Sequence, residues 1–305
     1  MTADAPSSSR VLVVFNPKSG RGRAARRVPP LCAALKARGL LPVQHPNSTP
    51  LPTPAELRGA RAMVAIGGDG TVASLCELAR QSGVPLYHSP TGTENLFARD
   101  LRMSADPVKT AACIEAGQTR ALDLIQSTSK GTTRPVVLML SVGPDAGVVA
   151  RLTRARTGAI TKLSYVRHIL AELGSPTLPR IEVEVDGAPL ASGRGMVIVA
   201  NCGRYGGGFD PAGEAKMDDG LLDVAFFPMT SGFDWLASML WCKAGRRASL
   251  KGVATARGRT ARIRLPEGGA VQTDGEHESD GPTPREYTLE TLPGVFPVIS
   301  PPNAP

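Results

Sequence analysis

The sequence predicts an α/β domain with a parallel sheet, followed by a mostly antiparallel β domain. Three strand–turn–helix units occupy about the first 100 residues, and short β-branched runs separated by Gly and Pro follow from about Asp123. A chain of 305 residues suffices for two domains, and 42% hydrophobic with 20% charged residues is typical of folded proteins. We expect the first domain at residues 10–124, with 293–305 able to complete it, and the second at 125–292.

Each predicted strand of the first domain ends in a polar turn that leads into a helix. The buried strands are Val11–Phe15, Arg61–Ile66 and Val84–His88. The turns are Asn16–Gly20, Gly67–Thr71 and Ser89–Thr93, and Leu41–Pro54 is expected to be a short strand plus a loop. Because the carboxyl ends of parallel strands lie at one edge of the sheet, we expect the turns to form one ligand site.

The second domain is predicted from runs of alternating or β-branched residues. They are Val136–Val142, Ile181–Val185, Met196–Ala200, Leu221–Phe227, Ala261–Leu265 and Tyr287–Glu290. A helix is expected at Leu163–Leu173, and the Pro-rich end, Pro293–Pro305, is expected to be a partly ordered return segment.

Composition narrows the location and the partners. A net charge of +8 and a pI of 9.5 favour an anionic partner, which can be a nucleotide, a nucleic acid or an acidic membrane surface. The five scattered cysteines lack metal-site spacing and indicate reduced thiols. No apolar leader and no run of about 18 apolar residues is evident, so a cytoplasmic protein with at most peripheral membrane contact is predicted.

The run Gly67-Gly68-Asp69-Gly70-Thr71 is the strongest chemical motif. Glycines let the backbone approach phosphate oxygens, and the N-terminus of the following helix presents free N–H groups. Asp69 is expected to organise metal-bound water or a ribose, and Thr71 to cap the helix. The alternative is an ordinary strand-to-helix turn.

The two other turns are less specific. Asn16–Gly20 lacks the spacing of a P-loop, and its residue types also suit an ordinary turn. In Gly92–Arg99, either Thr93 or Asn95 is expected to cap the helix or bind a ligand.

Three motifs in the second half carry potential chemistry. Asn201–Gly208 ends in three glycines that permit close backbone approach. Asp218-Asp219-Gly220 suits a hard cation, or is simply a β-turn. In Asp274-Gly275-Glu276, one carboxylate can accept a hydroxyl proton while the other holds a metal or orients its neighbour; the alternative is a plain hairpin turn.

Taken in order, the motifs resemble the diacylglycerol kinase catalytic-domain family, which includes bacterial lipid kinases and sphingosine kinases. The resemblance covers Arg10 to Pro297 and rests on Asn-Pro-x-Ser-Gly, Gly-Gly-Asp-Gly-Thr, Gly-Thr-x-Asn-x-Phe-Ala-Arg, the triple glycine, Asp-Asp-Gly-Leu-Leu-Asp and Asp-Gly-Glu. It implies a nucleotide-binding domain like those of NAD kinases and phosphofructokinases, a β-sandwich domain, and an active site in the cleft between them. It also implies ATP as donor and the hydroxyl of diacylglycerol or a related lipid as acceptor.

The resemblance assigns roles to individual residues. It implies ATP contacts from Asn16, Pro17, Lys18, Ser19, Gly20, Gly67, Gly68, Asp69, Gly70, Thr71, Thr93 and Asn95, with Ser48 or Thr49 as weaker candidates. The implied catalytic residues are Glu276 as general base, Asp274 and Asp69. A structural Mg²⁺ is implied at Asp219 and the carbonyl oxygens of Lys216 and Leu221.

One position departs from the family pattern: Leu96 stands where the motif usually has an aspartate. Loss of that carboxylate is expected to shift substrate choice or lower activity. Asp69 and Asn95 remain, so an active enzyme is still predicted.

Charge distribution predicts peripheral contact with an anionic membrane. Trp235–Pro266 contains eight Lys/Arg residues and no acidic residue, and it overlaps the apolar stretch Phe233–Trp241, which carries both tryptophans. A second basic run covers Arg151–Arg167. The alternative is a core helix followed by a solvated loop.

Two other functions remain open on the sequence: a kinase of a soluble acceptor, as in NAD kinases, and a non-catalytic nucleotide- or lipid-binding regulator. The motifs of the second half argue against the first, and the intact Asp-Gly-Glu argues against the second. No nucleic-acid partner is predicted, because the basic runs lack interleaved aromatic residues. A homodimer is left open.

Overall fold

The computed structural model describes residues 9–17, 22–155, 162–209, 211–246, 250–279 and 281–302. The chain divides into two compact units. Unit 1 comprises Met1–Leu122 with Gly294–Pro305, and unit 2 comprises Asp123–Pro293.

Unit 1 is a parallel α/β unit. Its strands are β1 Arg10–Phe15, β2 Leu41–Pro46, β3 Ala62–Gly67 and β4 Leu86–Pro90, and its helices are α1 Arg23–Lys36, α2 Pro54–Leu57, α3 Asp69–Ser82, α4 Leu96–Asp100 and α5 Pro107–Ala116. β4, β3, β1 and β2 lie side by side in that order, all parallel. Every residue of β3 is buried, as expected of a central parallel strand.

The predicted strands and helices of the first domain are present, and helix α5 was missed. Its start was detectable in the sequence, because Asp is favoured at the N-cap of a helix and Pro at the first helical position. In the structure, the Asp106 carboxylate accepts from the N–H groups of Val108 and Lys109, and Pro107 is the first helical residue. α1 also continues through Pro29 and Pro30.

Unit 2 is built mainly from antiparallel strands. It contains β6 Thr132–Val136, β7 Met139–Val142, α6 Pro144–Arg154, α7 Lys162–Gly174, β8 Arg180–Val185, β9 Ala188–Ala200, β10 Leu222–Pro228, α8 Gly232–Lys243, β11 Ala254–Gly258, β12 Thr260–Leu265, β13 Val271–Thr273 and β14 Glu276–Ser279. Two further strands run from one unit into the other: β5 Thr119–Ser129 and β15 Arg285–Ile299.

Strand β9 joins the two sheets of the sandwich in unit 2. Its first half pairs with β8, which continues through β12 to β15. Its second half pairs with β7 and β10. The strand bends at Gly195, where φ is +154° and an added Cβ would lie 2.0 Å from the carbonyl oxygen of Phe227, so only glycine fits. The apolar core between the sheets includes Leu140, Val183 and Tyr287.

Three details differ from the sequence prediction. The run Val136–Val142 forms two strands rather than one, with a turn at residues 137–138. Helix α6 was not predicted. The C-terminal segment is more ordered than expected, since β15 returns to unit 1 and pairs in parallel with β4 through Val298 and Leu86.

No helix within the described residues is long and apolar enough to cross a membrane. The five cysteines all lie in the described part of the chain, and none of them forms a disulfide there.

Candidate functional site

In unit 1, the turns singled out by the sequence lie at one edge of the parallel sheet. Phe15 at the end of β1 is in register with Ile66 of β3, and Gly67 is in register with Pro90 at the end of β4. The turns after β1, β3 and β4 therefore leave the sheet side by side, as the parallel topology requires.

The turn after β3 packs closely against the side chain of Thr71. The Thr71 side chain is buried, and a Cβ at Gly67 would lie 2.0 Å from its Oγ1 atom, so Gly67 must lack a side chain. Asp69 and Gly70 are the first residues of α3. Since the first N–H groups of a helix have no intrahelical acceptor, this turn has the geometry of an anion-binding site.

The turns after β3 and β4 touch backbone to backbone. A Cβ at Gly92 would lie 2.7 Å from the Cα of Gly68. Asn95 holds the second turn closed: its Oδ1 accepts from the Gly92 N–H at 2.8 Å, and its Nδ2 donates to the Gly92 carbonyl at 2.9 Å. Asn95 is in the left-handed region with φ +51°, which asparagine tolerates better than most residues.

The carboxylate of Asp69 fastens the start of α4 to the start of α3. It accepts from the N–H of Leu96 at 3.0 Å and from the N–H of Phe97 at 3.1 Å. These are N–H groups that a helix leaves unpaired at its first turn. Leu96, the departure from the family pattern, buries its side chain and supplies one of the two donors.

Two buried polar groups beneath the turns were not singled out from the sequence. His88 Nε2 lies 3.1 Å from the carbonyl oxygen of Gly67, which also accepts from the Thr91 N–H at 2.7 Å. Burial lowers the pKa of His88, against the opposing effect of the Asp69 carboxylate, so His88 is neutral. The His88 Nδ1 and Thr91 Oγ1 atoms are buried and have no hydrogen-bond partner among the described residues.

The remaining predicted nucleotide contacts differ in exposure. Asn16 is half-buried at the end of β1, while Pro17 and Thr93 are exposed. Lys18, Ser19 and Gly20 lie outside the described residues. Thr49 uses its hydroxyl locally, donating to the Pro46 carbonyl at 2.7 Å, and Ser48 is exposed.

In unit 2, the Asp274 carboxylate fastens the turn between β6 and β7. It accepts from the N–H groups of Val137, Leu138 and Met139 at 2.8, 2.7 and 3.0 Å. The Asp274 N–H donates in return to the Met139 carbonyl at 2.9 Å. With φ at +50°, Asp274 takes a turn conformation that aspartate tolerates. The geometry makes Asp274 a positioning residue.

Glu276 lies two residues further on, at the start of β14, and is exposed. Its carboxylate makes no hydrogen bond or ion pair with another described residue. Gly275 before it donates its N–H to Gln272 Oε1 at 2.7 Å, and His277 after it is paired with Gln272 of β13, so the backbone that carries Glu276 is anchored on both sides. A carboxylate held in this way can accept a proton from a bound hydroxyl.

Asp123 and Asn201 connect the other two motifs of unit 2. The buried Asn201 side chain donates to the carbonyls of Asp123 and Val137 at 3.0 and 2.9 Å. Asp123 Oδ2 accepts from the Gly220 N–H at 2.7 Å, and the Asp123 N–H donates to the Met217 carbonyl at 2.6 Å. The Asp218-Asp219-Gly220 turn is thus tied to the start of the Gly-rich segment.

The Asp219 carboxylate, which the resemblance implies as a Mg²⁺ ligand, forms an ion pair with a guanidinium group. Asp219 Oδ2 is paired with Arg257, and Asp219 Oδ1 accepts from the Leu221 N–H at 3.1 Å. Among the described residues, no group of three or more His, Cys, Asp or Glu side chains could hold a metal. Lys216 is exposed and Leu221 half-buried. This arrangement does not fit a divalent cation at Asp219, because the Asp219 carboxylate is already paired with the Arg257 guanidinium.

Two protein-family models match the chain. The diacylglycerol kinase catalytic domain matches residues 10–127. The YegS C-terminal NAD kinase beta sandwich-like domain matches residues 139–300, which is more than half of the chain.

Relatives of the chain carry corresponding names. A diacylglycerol kinase of Mycobacterium tuberculosis (strain CDC 1551 / Oshkosh) is 28% identical over 302 residues, covering 96% of this chain and 95% of that protein. A protein of Stenotrophomonas maltophilia (strain K279a), named as a YegS-like lipid kinase, is 29% identical over 216 residues, covering 68% of this chain and 67% of its own.

Solved structures share the fold. A crystal structure of a Bacillus anthracis (strain Sterne) diacylglycerol kinase superimposes with a TM-score of 0.64 at 20% identity, covering 97% of this chain and 98% of that one. Another structure from the same organism has a TM-score of 0.70 at 23% identity with the same coverage.

Proposed function

The chain belongs to the family of YegS-like lipid kinases that carry a diacylglycerol kinase catalytic domain, and we propose that it transfers the γ-phosphate of ATP to the hydroxyl of diacylglycerol. Family membership makes the chain a phosphotransferase with an alcohol group as acceptor. The observation that carries the finer proposal is Glu276, an exposed carboxylate on an anchored backbone with no partner among the described residues.

Unit 1 holds the triphosphate in this proposal. The first N–H groups of α3 would donate to phosphate oxygens, and the contact between Gly68 and Gly92 keeps this surface free of side chains. Asn16, Pro17, Thr93 and the segment at 18–20 are proposed to complete the nucleotide site. Mg²⁺ bound to the triphosphate would neutralise its charge.

Glu276 accepts the proton in the transfer step. The lipid hydroxyl oxygen attacks the γ-phosphorus, and the bond from phosphorus to the β–γ bridging oxygen breaks, so that ADP leaves with the electron pair. The hydroxyl proton passes to a Glu276 carboxylate oxygen. Asp274 fixes the backbone from which Glu276 projects, and Asp69 fixes the turn at the start of α4.

A lipid-panel assay tests the reaction. The purified protein is incubated with radiolabelled ATP and, separately, diacylglycerol, ceramide, sphingosine, undecaprenol, phosphatidylglycerol or NAD. We expect label in diacylglycerol. Label only in NAD would identify a kinase of a soluble acceptor, and label in none of them would favour a non-catalytic regulator; either result contradicts the proposal.

We also propose that helices α7 and α8 contact the anionic surface from which the lipid is taken, which makes the protein peripherally membrane-associated on the cytoplasmic side. The two helices pack closely, since a Cβ at Gly232 would lie 2.2 Å from the Leu173 carbonyl oxygen. They expose large apolar side chains: Val166 49%, Leu170 62%, Phe233 80%, Leu240 53% and Trp241 43%.

Charge near these helices supports an anionic partner. Arg154, Arg167 and His168 line a surface pocket of about 400 Å³ beside α7, together with Arg151, which is paired with the buried Glu172. The longer basic run contributes less than its composition suggests, because Arg262 and Arg264 pair with Glu184 and Glu286. Trp235 is buried in unit 2, so Trp241 is the tryptophan available to a membrane.

Vesicle co-sedimentation tests this surface. We expect binding to phosphatidylcholine vesicles that contain phosphatidylglycerol, weaker binding to phosphatidylcholine alone, and a loss of about tenfold in Phe233→Glu. Val108→Glu is the matched control, because Val108 is 58% exposed on α5 of unit 1. Equal binding to both vesicle types would remove the proposal.

A further inference from the structure

A cationic side chain of the protein itself, Arg257, contacts the Asp218-Asp219-Gly220 turn of unit 2. Arg257 on β11 stands opposite Asp223 of β10 in the antiparallel register. Its guanidinium pairs with Asp223 Oδ1 through Nε at 3.1 Å and with Asp219 Oδ2 through Nη2. One side chain therefore joins a carboxylate of the turn, Asp219, to a carboxylate of the following strand, Asp223.

The turn needs a positive charge because several carboxylates converge on it. Asp223 is largely buried, and its Oδ1 atom pairs with Arg257 at 3.1 Å. The Asp219 and Glu214 carboxylates lie close enough to repel the Asp223 carboxylate. Asp123 adds a fourth carboxylate close by, which accepts from the Gly220 N–H at 2.7 Å. Acidic groups this close repel one another unless a cation lies among them.

A guanidinium suits the position better than a divalent metal ion would. It is planar, stays charged at all accessible pH values and offers several donors in fixed directions, so it can bond two carboxylates at once. Arg257 uses Nε for one aspartate and Nη2 for the other. Hard divalent ions instead require about six oxygen ligands, including carboxylates not committed elsewhere.

We propose that the guanidinium of Arg257 replaces the structural divalent cation that the family resemblance implies at this turn. Asp219 thereby keeps its position without a metal, bonded to Arg257 on one oxygen and to the Leu221 N–H on the other. The replacement is a property of unit 2 alone, so it holds whichever lipid the enzyme phosphorylates.

Thermal unfolding of the nucleotide-free protein tests the replacement. The melting temperature of the wild type is expected to be the same in EDTA and in millimolar MgCl₂. Arg257→Gln removes the cation, and we expect a melting temperature lower by about 4 °C or more in EDTA, with partial recovery in MgCl₂ as the vacated carboxylates accept the ion. Lys251→Gln is the matched control: it removes the same charge from an exposed position on the segment before β11, and no response to Mg²⁺ is expected.

Two results would overturn the proposal. One is a wild type whose melting temperature rises with Mg²⁺ as much as that of Arg257→Gln, and the other is an Arg257→Gln protein that shows neither destabilisation nor a response to Mg²⁺.

A second measurement keeps the proposal testable if Arg257→Gln does not fold. Mn²⁺ is titrated into the nucleotide-free wild type and into Asp219→Asn, and bound ion is followed by electron paramagnetic resonance. Equal binding in the two proteins supports the replacement. A Mn²⁺ site that is present in the wild type and absent in Asp219→Asn contradicts it.

Discussion

Two aspartates of the chemical motifs, Asp69 in unit 1 and Asp274 in unit 2, have the same task in different surroundings. Asp69 accepts from two backbone N–H groups at the start of α4, and Asp274 accepts from three in the turn between β6 and β7. Each fastens a distant segment to its own turn. They differ in what they position: backbone N–H groups in unit 1, and a single side chain, Glu276, in unit 2.

This difference predicts that the two units respond in opposite ways to the addition and the removal of side-chain groups. In unit 1, the surface proposed to bind phosphate consists of backbone, so adding a side chain should harm function more than removing one. In unit 2, the Glu276 carboxylate is proposed to accept the proton, so changing that carboxylate should lower turnover strongly and leave the fold intact. Four experiments test this contrast.

Glu276→Gln should have the largest effect. A well-placed general base contributes about 10²–10⁴-fold, so kcat should fall by that factor, while ATP affinity and melting temperature stay close to those of the wild type. Steady-state kinetics and ATP titration measure both. Glu278→Gln is the control, two residues along the same strand, where the carboxylate accepts from the Thr273 hydroxyl at 2.8 Å. Unchanged kcat in Glu276→Gln would remove the assignment.

Gly92→Ala tests the backbone surface of unit 1. The new methyl group would lie 2.7 Å from the Gly68 Cα and 2.8 Å from Asn95 Oδ1, so the two turns must separate. We expect kcat/KM for ATP to fall about 10–100-fold, because small displacements of positioning groups are costly. Gly68→Ala is the graded control, since its methyl group would meet the Gly92 Cα at 3.4 Å, an ordinary contact. A larger loss in Gly68→Ala than in Gly92→Ala would contradict the geometry.

Replacing each aspartate by asparagine compares the two fastenings directly. An amide removes the charge and turns one acceptor into a donor facing an N–H group. Asp274→Asn should lower the free energy of unfolding by about 2–3 kcal/mol, and Asp69→Asn by about 1–2 kcal/mol, because Asp274 serves one more donor. Urea denaturation measures both values. The reverse order would show that burial, rather than the number of donors, decides the loss.

The smallest effect concerns His88 beneath the Gly67 turn. Burial lowers its folded-state pKa below the usual 6.5, so the unfolded chain binds more protons than the folded chain below that pH. Stability from this group is therefore complete above about pH 6.5 and is lost as the pH falls, by at most about 1.4 kcal/mol per pH unit. Urea denaturation between pH 7.5 and 5.5 should show a shallower decline in His88→Gln, whose amide can still donate to Gly67. Parallel declines would exclude the effect.

The sequence predicted the strands of unit 1 well, because apolar runs such as the one in β3 have no other stable place than a buried parallel sheet. The roles of Gly67 and Gly92 were equally predictable, because close approach of a backbone requires a residue without a side chain. The split at residues 137–138 was not predictable, because it depends on a carboxylate 137 residues away.

The roles of the charged residues were the least predictable part of the site. An aspartate that fastens a backbone and one that contacts a substrate look identical in a sequence. Asp69 and Asp274 were both assigned catalytic roles, and in the fold both accept from backbone N–H groups. Arg257 appeared as one of eight basic residues in a run proposed for membrane contact, and its two aspartate partners were visible only in the fold. His88 and Thr91 were missed because their burial beneath the turns is a tertiary property.

Strand β15 makes the order of synthesis matter for this protein. Its last residues, from Gly294 onward, belong to unit 1, where Val298 pairs with β4. During translation, the first 122 residues leave the ribosome long before β15 is synthesised. The edge of β4 that pairs with β15 therefore stays unpaired while all of unit 2 is made. Open parallel edges invite pairing with other chains. A nascent chain, or a fragment ending at residue 122, should therefore depend on chaperones far more than the finished protein does.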